Sequence, residues 1–155
     1  MENREPRKEL QVSAIQNGTV IDHIPAKSLF QVLRILHLEG SANQILFGTN
    51  LDSKKYGKKG IIKVADKYFK IEEINKIALV APTATLTVIK NYQIIEKKKV
   101  EIPDEIQQIV KCFNPLCITN HEKISTRFHV VDKKDLKLLC HYCEKIMERD
   151  EMVFL

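Results

Sequence analysis

Residues 112–143 read CFNPLCITNHEKISTRFHVVDKKDLKLLCHYC, and this stretch decides how the chain divides. All four cysteines (Cys112, Cys117, Cys140 and Cys143) lie in it, and the 111 residues before it contain none. Their spacing is C-x4-C, 22 residues, then C-x2-C. Two short loops held apart by a long span can present four thiolates at about 2.3 Å around one tetrahedral ion. Only 52 residues follow Pro103, and the strand-like STRFHVV between the pairs offers few large apolar groups. A module that small needs a staple, and a structural metal supplies one. The four cysteines are therefore the candidate ligands of one structural Zn2+ per chain. A redox reading of Cys140-x-x-Cys143 leaves the first pair without a role. Disulfides are disfavoured in a reducing compartment, and four cysteines close the coordination shell that a catalytic ion needs open. An iron ion with four thiolate ligands has the same signature, but nothing suggests electron transfer. His121 and His141 lie close to the cysteines in sequence and could substitute as ligands, but with four thiolates available they read as surface residues.

Working outward, the chain has 155 residues, 44% hydrophobic and 29% charged, which suits a folded soluble protein. No apolar run approaches the ~20 residues of a membrane span, and the opening MENREPRKEL is charged throughout. The expected location is the cytoplasm, with no membrane association. The net charge of +5 is uneven: Lys54 to Lys70 contains seven lysines and one acid, Asp66, and Lys97-Lys98-Lys99 forms a second cluster. These are either solvated loops or a site for an anion, nucleic acid or polyphosphate.

The first hundred residues alternate in period. LQVSAI places Leu10, Val12 and Ala14 on one side of an extended segment, with a turn expected at Asn17-Gly18, and TVIDHIP extends it. Pro25 stands at the threshold of a helix, in which Leu29, Val32, Leu33 and Leu36 share a face and Gly40 provides the stop. NQILFGTN reads as a strand, LDSKKYGKKG as a loop and IIKVA as a strand. IEEINKIALV reads as a short helix ending before Pro82, and ATLTVIKNYQIIEK as one or two strands. The order β-α-β-β-α-β is the split βαβ pattern. KKKVEIPDEIQQIVK then breaks the texture, with a short helix expected, and the boundary falls near residue 101. The expected class is α+β: a ferredoxin-like antiparallel sheet with two helices over residues 1–100, then a small zinc-ribbon or rubredoxin-like β domain over 101–155.

Catalytic signatures are absent: there is no P-loop, no G-x-G-x-x-G and no G-x-S-x-G. Gly57-Lys58-Lys59-Gly60 fits the G-x-x-G loop of KH domains, but strand-like segments flank it where helices belong.

Taken in order, ELQVSAIQNGTVIDHIPA, YGKKGIIKV, LVAPTATLTVIKNYQII and the C-x4-C…C-x2-C tail closely resemble the regulatory chain of aspartate carbamoyltransferase, from about residue 9 to 150. The resemblance implies a non-catalytic subunit of pyrimidine biosynthesis. Its N-terminal domain would bind nucleoside triphosphates, CTP as inhibitor and ATP as activator with UTP as a further effector ligand, and its zinc domain would dock on the catalytic chain. It further implies homodimers of regulatory chains, three of which bridge two catalytic trimers in a dodecamer.

The resemblance also implies site residues. Val12, Ser13, Ala14 and Ile15 would lie at the base, Asp22 at the ribose and His23 at the phosphates. Lys59, Ile61 and Lys63 come from GKKGIIKV, with Ile61 and Lys63 on one side of a strand. Tyr92 would offer backbone contacts to the base, beside Ile94, and Lys97 would reach the phosphates. Ammonium groups from separate strands can converge on a triphosphate as point charges, which gives the uneven lysines a purpose. Ser13 departs from the family's acid at that position, Lys58 and Gly60 also differ, and the span between the cysteine pairs is slightly shortened. Within that span, RFHVVDKKDLKLL is the expected docking surface.

The rival reading is a basic zinc-ribbon protein that binds RNA. Only 6% of residues are aromatic and none is tryptophan, which leaves little to stack on bases, so no nucleic-acid partner is expected.

Overall fold

The computed structural model describes residues 14–155, so the expectations for Leu10, Val12 and Ser13 fall outside the described residues. The chain forms two compact units, one running to Val100 and the other Glu101–Leu155. No described helix is long and apolar enough to cross a membrane.

In the first unit, β1 (Gly18–Pro25) leads through a 3-10 turn (Ala26–Ser28) into α1 (Leu29–Ile35). Then come β2 (Ile45–Ser53), β3 (Gly57–Ala65), α2 (Ile71–Asn75) with a 3-10 continuation (Lys76–Leu79), β4 (Thr85–Lys90) and β5 (Gln93–Lys99). The sheet is antiparallel throughout, in the order β2-β3-β1-β4-β5. This is the expected ferredoxin-like arrangement with a fifth strand added at the edge. One face is dry: Thr19, Ile21, Ile62 and Val64 are fully buried together with Leu29, Val32, Ile74 and Ile77. A Cβ at Gly60 would meet Leu29 Cδ1 at 2.9 Å, which places α1 against this face. Gly18, at φ +137°, is required: an added Cβ would stand 2.0 Å from Val64 O.

Three details differ from the sequence reading. Among the described residues the first strand starts at Gly18, and Ala14–Asn17 are not in a strand. LDSKKYGKKG is a hairpin, with β2 reaching Ser53 and β3 starting at Gly57, because Leu51, Asp52 and Ser53 pair with Lys59, Lys58 and Gly57. Residues 97–111 contain no helix: β5 continues to Lys99, and β6 (Glu105–Gln107) and β7 (Val110–Lys111) follow. Ile106, Ile109 and Val110 are buried there, and a left-handed Gln108 at φ 60° turns the chain between the two strands.

The second unit continues with a 3-10 turn (Ile118–Asn120), β8 (Arg127–Asp132), β9 (Lys137–Cys140), β10 (Ile146–Met147), a 3-10 turn (Arg149–Glu151) and β11 (Val153–Phe154). Its sheets are β10-β9-β8-β6 and β11-β7. Phe128, Leu136, Leu138 and Met147 form its core with Ile106 and Val110.

Candidate metal centre and ligand face

Cys112 follows β7, Cys117 precedes a 3-10 turn, Cys140 ends β9, and Cys143 lies in the turn to β10. The four Sγ atoms all lie within 4.8 Å of one another. Cys112 Sγ is 3.7 Å from Cys143 Sγ, and Cys117 Sγ is 3.8 Å from Cys140 Sγ. A tetrahedron with spokes of about 2.3 Å has edges of about 3.8 Å, so these two pairs have the spacing of zinc ligands and the whole set is close enough to share one ion. Disulfides, at about 2.05 Å, are not formed. Donors surround the sulfurs, as they do at metal-held thiolates. Thr119 Oγ1 donates to Cys117 Sγ at 3.2 Å, and Asn120 Nδ2 braces the first loop through the carbonyls of Cys112 (3.0 Å) and Asn114 (2.8 Å). Burial pushes the Cys112 and Cys140 thiols up. Burial opposes ionisation of Cys143 too, but the Asn114 side chain and the Lys145 backbone N–H outweigh it and bring that thiol to about 7.

The first unit's sheet has an opposite, open face. Register aligns residues on it in rows: Leu46-Lys63-Val20-Thr87-Lys97, then Ala65-Gly18-Ile89-Ile94, then Asp22-Thr85-Lys99. Three interstrand steps separate Lys63 from Lys97, about 14 Å between backbones, a gap that two lysine side chains narrow. Lys63 is held below its ordinary pKa by burial, which Asp22 offsets only in part. Lys59 Nζ pairs with Asp22, at 2.8 Å from Oδ1 and 3.1 Å from Oδ2. His23 sits on a bulge of β1 at φ 57°. Its N–H donates to Asp22 Oδ1 (2.6 Å), its carbonyl accepts from Thr83 Oγ1 (2.7 Å), and its Nδ1 meets Thr85 Oγ1 at 3.0 Å.

Two depressions lie on this face. One, of about 290 Å³, is lined by His23, Lys55, Tyr56, Thr85 and Lys97 to Lys99. The other, of about 350 Å³, is lined by Ala14, Ile15, Gln16, Asn17, Gln44, Leu46, Ala65, Asp66 and Tyr92. Gly18 and Asp22, at corresponding levels of β1, are about 13 Å apart along the strand. Asn91 and Tyr92 form the two-residue β4–β5 turn with φ 50° and 63°. A tyrosine in that left-handed conformation is strained. The turn is tied back to residues 16–17, where Tyr92 N donates to Gln16 O (2.9 Å) and Asn91 N to Asn17 Oδ1 (3.1 Å). The Tyr92 N–H is thereby committed within the protein, while the residue as a whole is 67% exposed.

Of the expected ligand residues, the structure brings Asp22, His23, Lys59, Lys63 and Lys97 together, with Ile61 beside them on the same face. Ala14, Ile15, Tyr92 and the exposed Ile94 lie at the other end. Sequence reading missed Thr85 and Tyr56. Thr85 holds the His23 ring, and Tyr56 packs edge-on against it at 5.9 Å. The alternation of Thr85 and Thr87 in β4 was the available signal for the first; nothing local marks the second.

Residues 10–101 match the family of the aspartate carbamoyltransferase regulatory chain, allosteric domain, and residues 104–153 match the regulatory chain's metal binding domain. An aspartate carbamoyltransferase regulatory chain of Bacteroides fragilis is 54% identical over 151 residues, 97% of this chain and 99% of the relative. One from Pyrococcus horikoshii is 53% identical over 147 residues, 94% of this chain and 97% of the relative.

Proposed function

Because the chain belongs to the aspartate carbamoyltransferase regulatory chain family, we propose that it is the non-catalytic allosteric subunit of such an enzyme, serving pyrimidine biosynthesis in the cytoplasm. The first unit binds a nucleoside triphosphate on its open face, and the second docks on the catalytic chain. The observation that carries the reading is the polarity of that face. At one end the exposed Tyr92 stands beside Gln16, Asn17 and Gln44, a depression without cations whose amide groups can meet the edge of a base. At the other, His23, Lys97 and Lys99 offer donors to phosphates, with Asp22 at the same end and Lys63 one row towards the middle.

The face is also poised electrostatically. Lys63 is partly desolvated, and an added polyanion relieves that cost while strengthening each contact. The Asp22–Lys59 pair is half-buried, so a ribose hydroxyl on Asp22 and a phosphate on Lys59 exchange one set of charge-assisted bonds for another. CTP inhibits and ATP activates by binding two states of the assembly unequally, the only way a ligand moves such an equilibrium. Pairs of regulatory chains link two catalytic trimers. The exposed Phe30 and Phe47, in edge-to-face contact at 6.1 Å beside edge strand β2, offer apolar surface for a second copy.

The metal belongs to this function as a staple for the docking unit and touches no substrate. Co-purification of the tagged chain with an aspartate carbamoyltransferase catalytic chain, together with saturable CTP binding by calorimetry, tests the reading. Failure of both results rejects it.

A further inference from the structure

The second unit's sheet has a face turned away from its core, and ligating atoms converge there as well. Register sets Glu105 of β6 opposite His129 of β8 and Gln107 opposite Arg127, while His141 N donates to Arg127 O at 2.9 Å. Glu105, Arg127, His129 and His141 therefore share that face, whereas Ile106, Phe128, Leu138 and Cys140 alternate with them and are buried. His129 Nε2 lies 3.0 Å from His141 Nδ1, and both rings reach solvent. Behind His129, its other nitrogen Nδ1 faces Glu105 Oε2 at 3.9 Å. Arg127, with Nε 2.8 Å from Glu105 Oε1 and Nη2 3.0 Å from Oε2, holds this carboxyl below its ordinary pKa, with help from Gln107. It is thus an anion whose charge is balanced by the guanidinium.

We propose that His129 and His141 chelate a second divalent transition-metal ion, separate from the one held by the cysteines, with water completing its shell. Two nitrogens at about 2.1 Å from one ion and at right angles stand about 3.0 Å apart. That is the spacing present, and it fits the tetragonal preference of nickel and copper ions. A tetrahedral ion needs about 3.4 Å, a small opening of the pair. At 3.9 Å Glu105 is beyond hydrogen-bond distance of Nδ1, but its charge favours a proton on that nitrogen over Nε2, which faces His141. A carboxylate behind a ligating imidazole is the usual means of orienting it. The bite is preset, because β8 and β9 are paired through Phe128↔Cys140 and His129↔Leu139. Occupancy ties β8 to the Cys140–Cys143 turn.

The test is calorimetric titration of the full chain, carrying one zinc per chain, with nickel chloride near neutral pH. Wild type is expected to take one further equivalent. His129→Ala and His141→Gln should each bind it at least about tenfold more weakly, and Glu105→Gln about tenfold. One zinc retained per chain in every variant shows that the unit is folded. Absence of thiolate-to-nickel charge-transfer absorption shows that the cysteines are not the ligands. Equal nickel binding by wild type and the His129→Ala/His141→Gln double variant, or nickel bound through sulfur, overturns the proposal.

Discussion

Removing the metal from the four-cysteine site is expected to unfold residues 101–155 while the first unit stays folded. Structural zinc in small modules contributes about 10–16 kcal/mol near neutral pH. The net stability of a whole native domain is about 5–15 kcal/mol. The unit's core contains few side chains beyond Phe128, Leu138, Met147, Ile106 and Val110, so the loss of the metal term is as large as everything holding it together. Four thiols within 4.8 Å of one another have no covalent substitute for the ion, since no disulfide links them. The first unit has its own core around Ile21, Ile62, Val64, Leu29 and Ile77 and contains no cysteine. Two-dimensional amide NMR before and after chelation reads both units at once. The amides of β6 to β11 should collapse to unfolded positions, those of β1 to β5 should stay dispersed, and added zinc should restore the first set. Persistence of dispersed Phe128, Leu138 and Met147 amides in metal-free protein would refute the reasoning.

Other outcomes follow from the first unit. Lys97→Ala should weaken CTP binding about ten- to hundredfold by calorimetry, the cost of one charge-assisted contact. Nucleotide binding at alkaline pH should take up protons. Burial depresses Lys63 in the free chain, a polyphosphate raises it again, and at pH values between the two states the lysine is neutral free and protonated bound. Calorimetry in buffers of different ionisation enthalpy should show that uptake, and its persistence in Lys63→Gln would assign it elsewhere. Gly18→Ala should destabilise the first unit by more than about 2 kcal/mol in denaturant melts, because its Cβ would collide with Val64 O.

The cysteine spacing made the four-sulfur cluster legible, because ligand spacing is a local property and the long span only has to return the chain. The strand and helix order was legible from period: Leu29, Val32 and Leu33 of α1 are buried as their spacing implies. The β2–β3 hairpin was hidden because its lysines suggest a loop. Alternation of Lys59, Ile61 and Lys63 with the buried Gly60, Ile62 and Val64 was the better signal. The strands of residues 105–111 were hidden for a different reason: each is two or three residues long and exists through pairing with Phe154 or His129, far away in sequence. The same holds for the His129–His141 pair, which only the β8–β9 register reveals.

The most direct measurement is the aspartate saturation curve of the catalytic chain assembled with this chain, recorded with and without nucleotide. CTP should shift the curve to higher aspartate and ATP to lower, and both shifts should shrink with Lys97→Ala while zinc content and assembly are unchanged. A curve that neither nucleotide moves, in an assembly shown to contain both chains, would contradict the regulatory role.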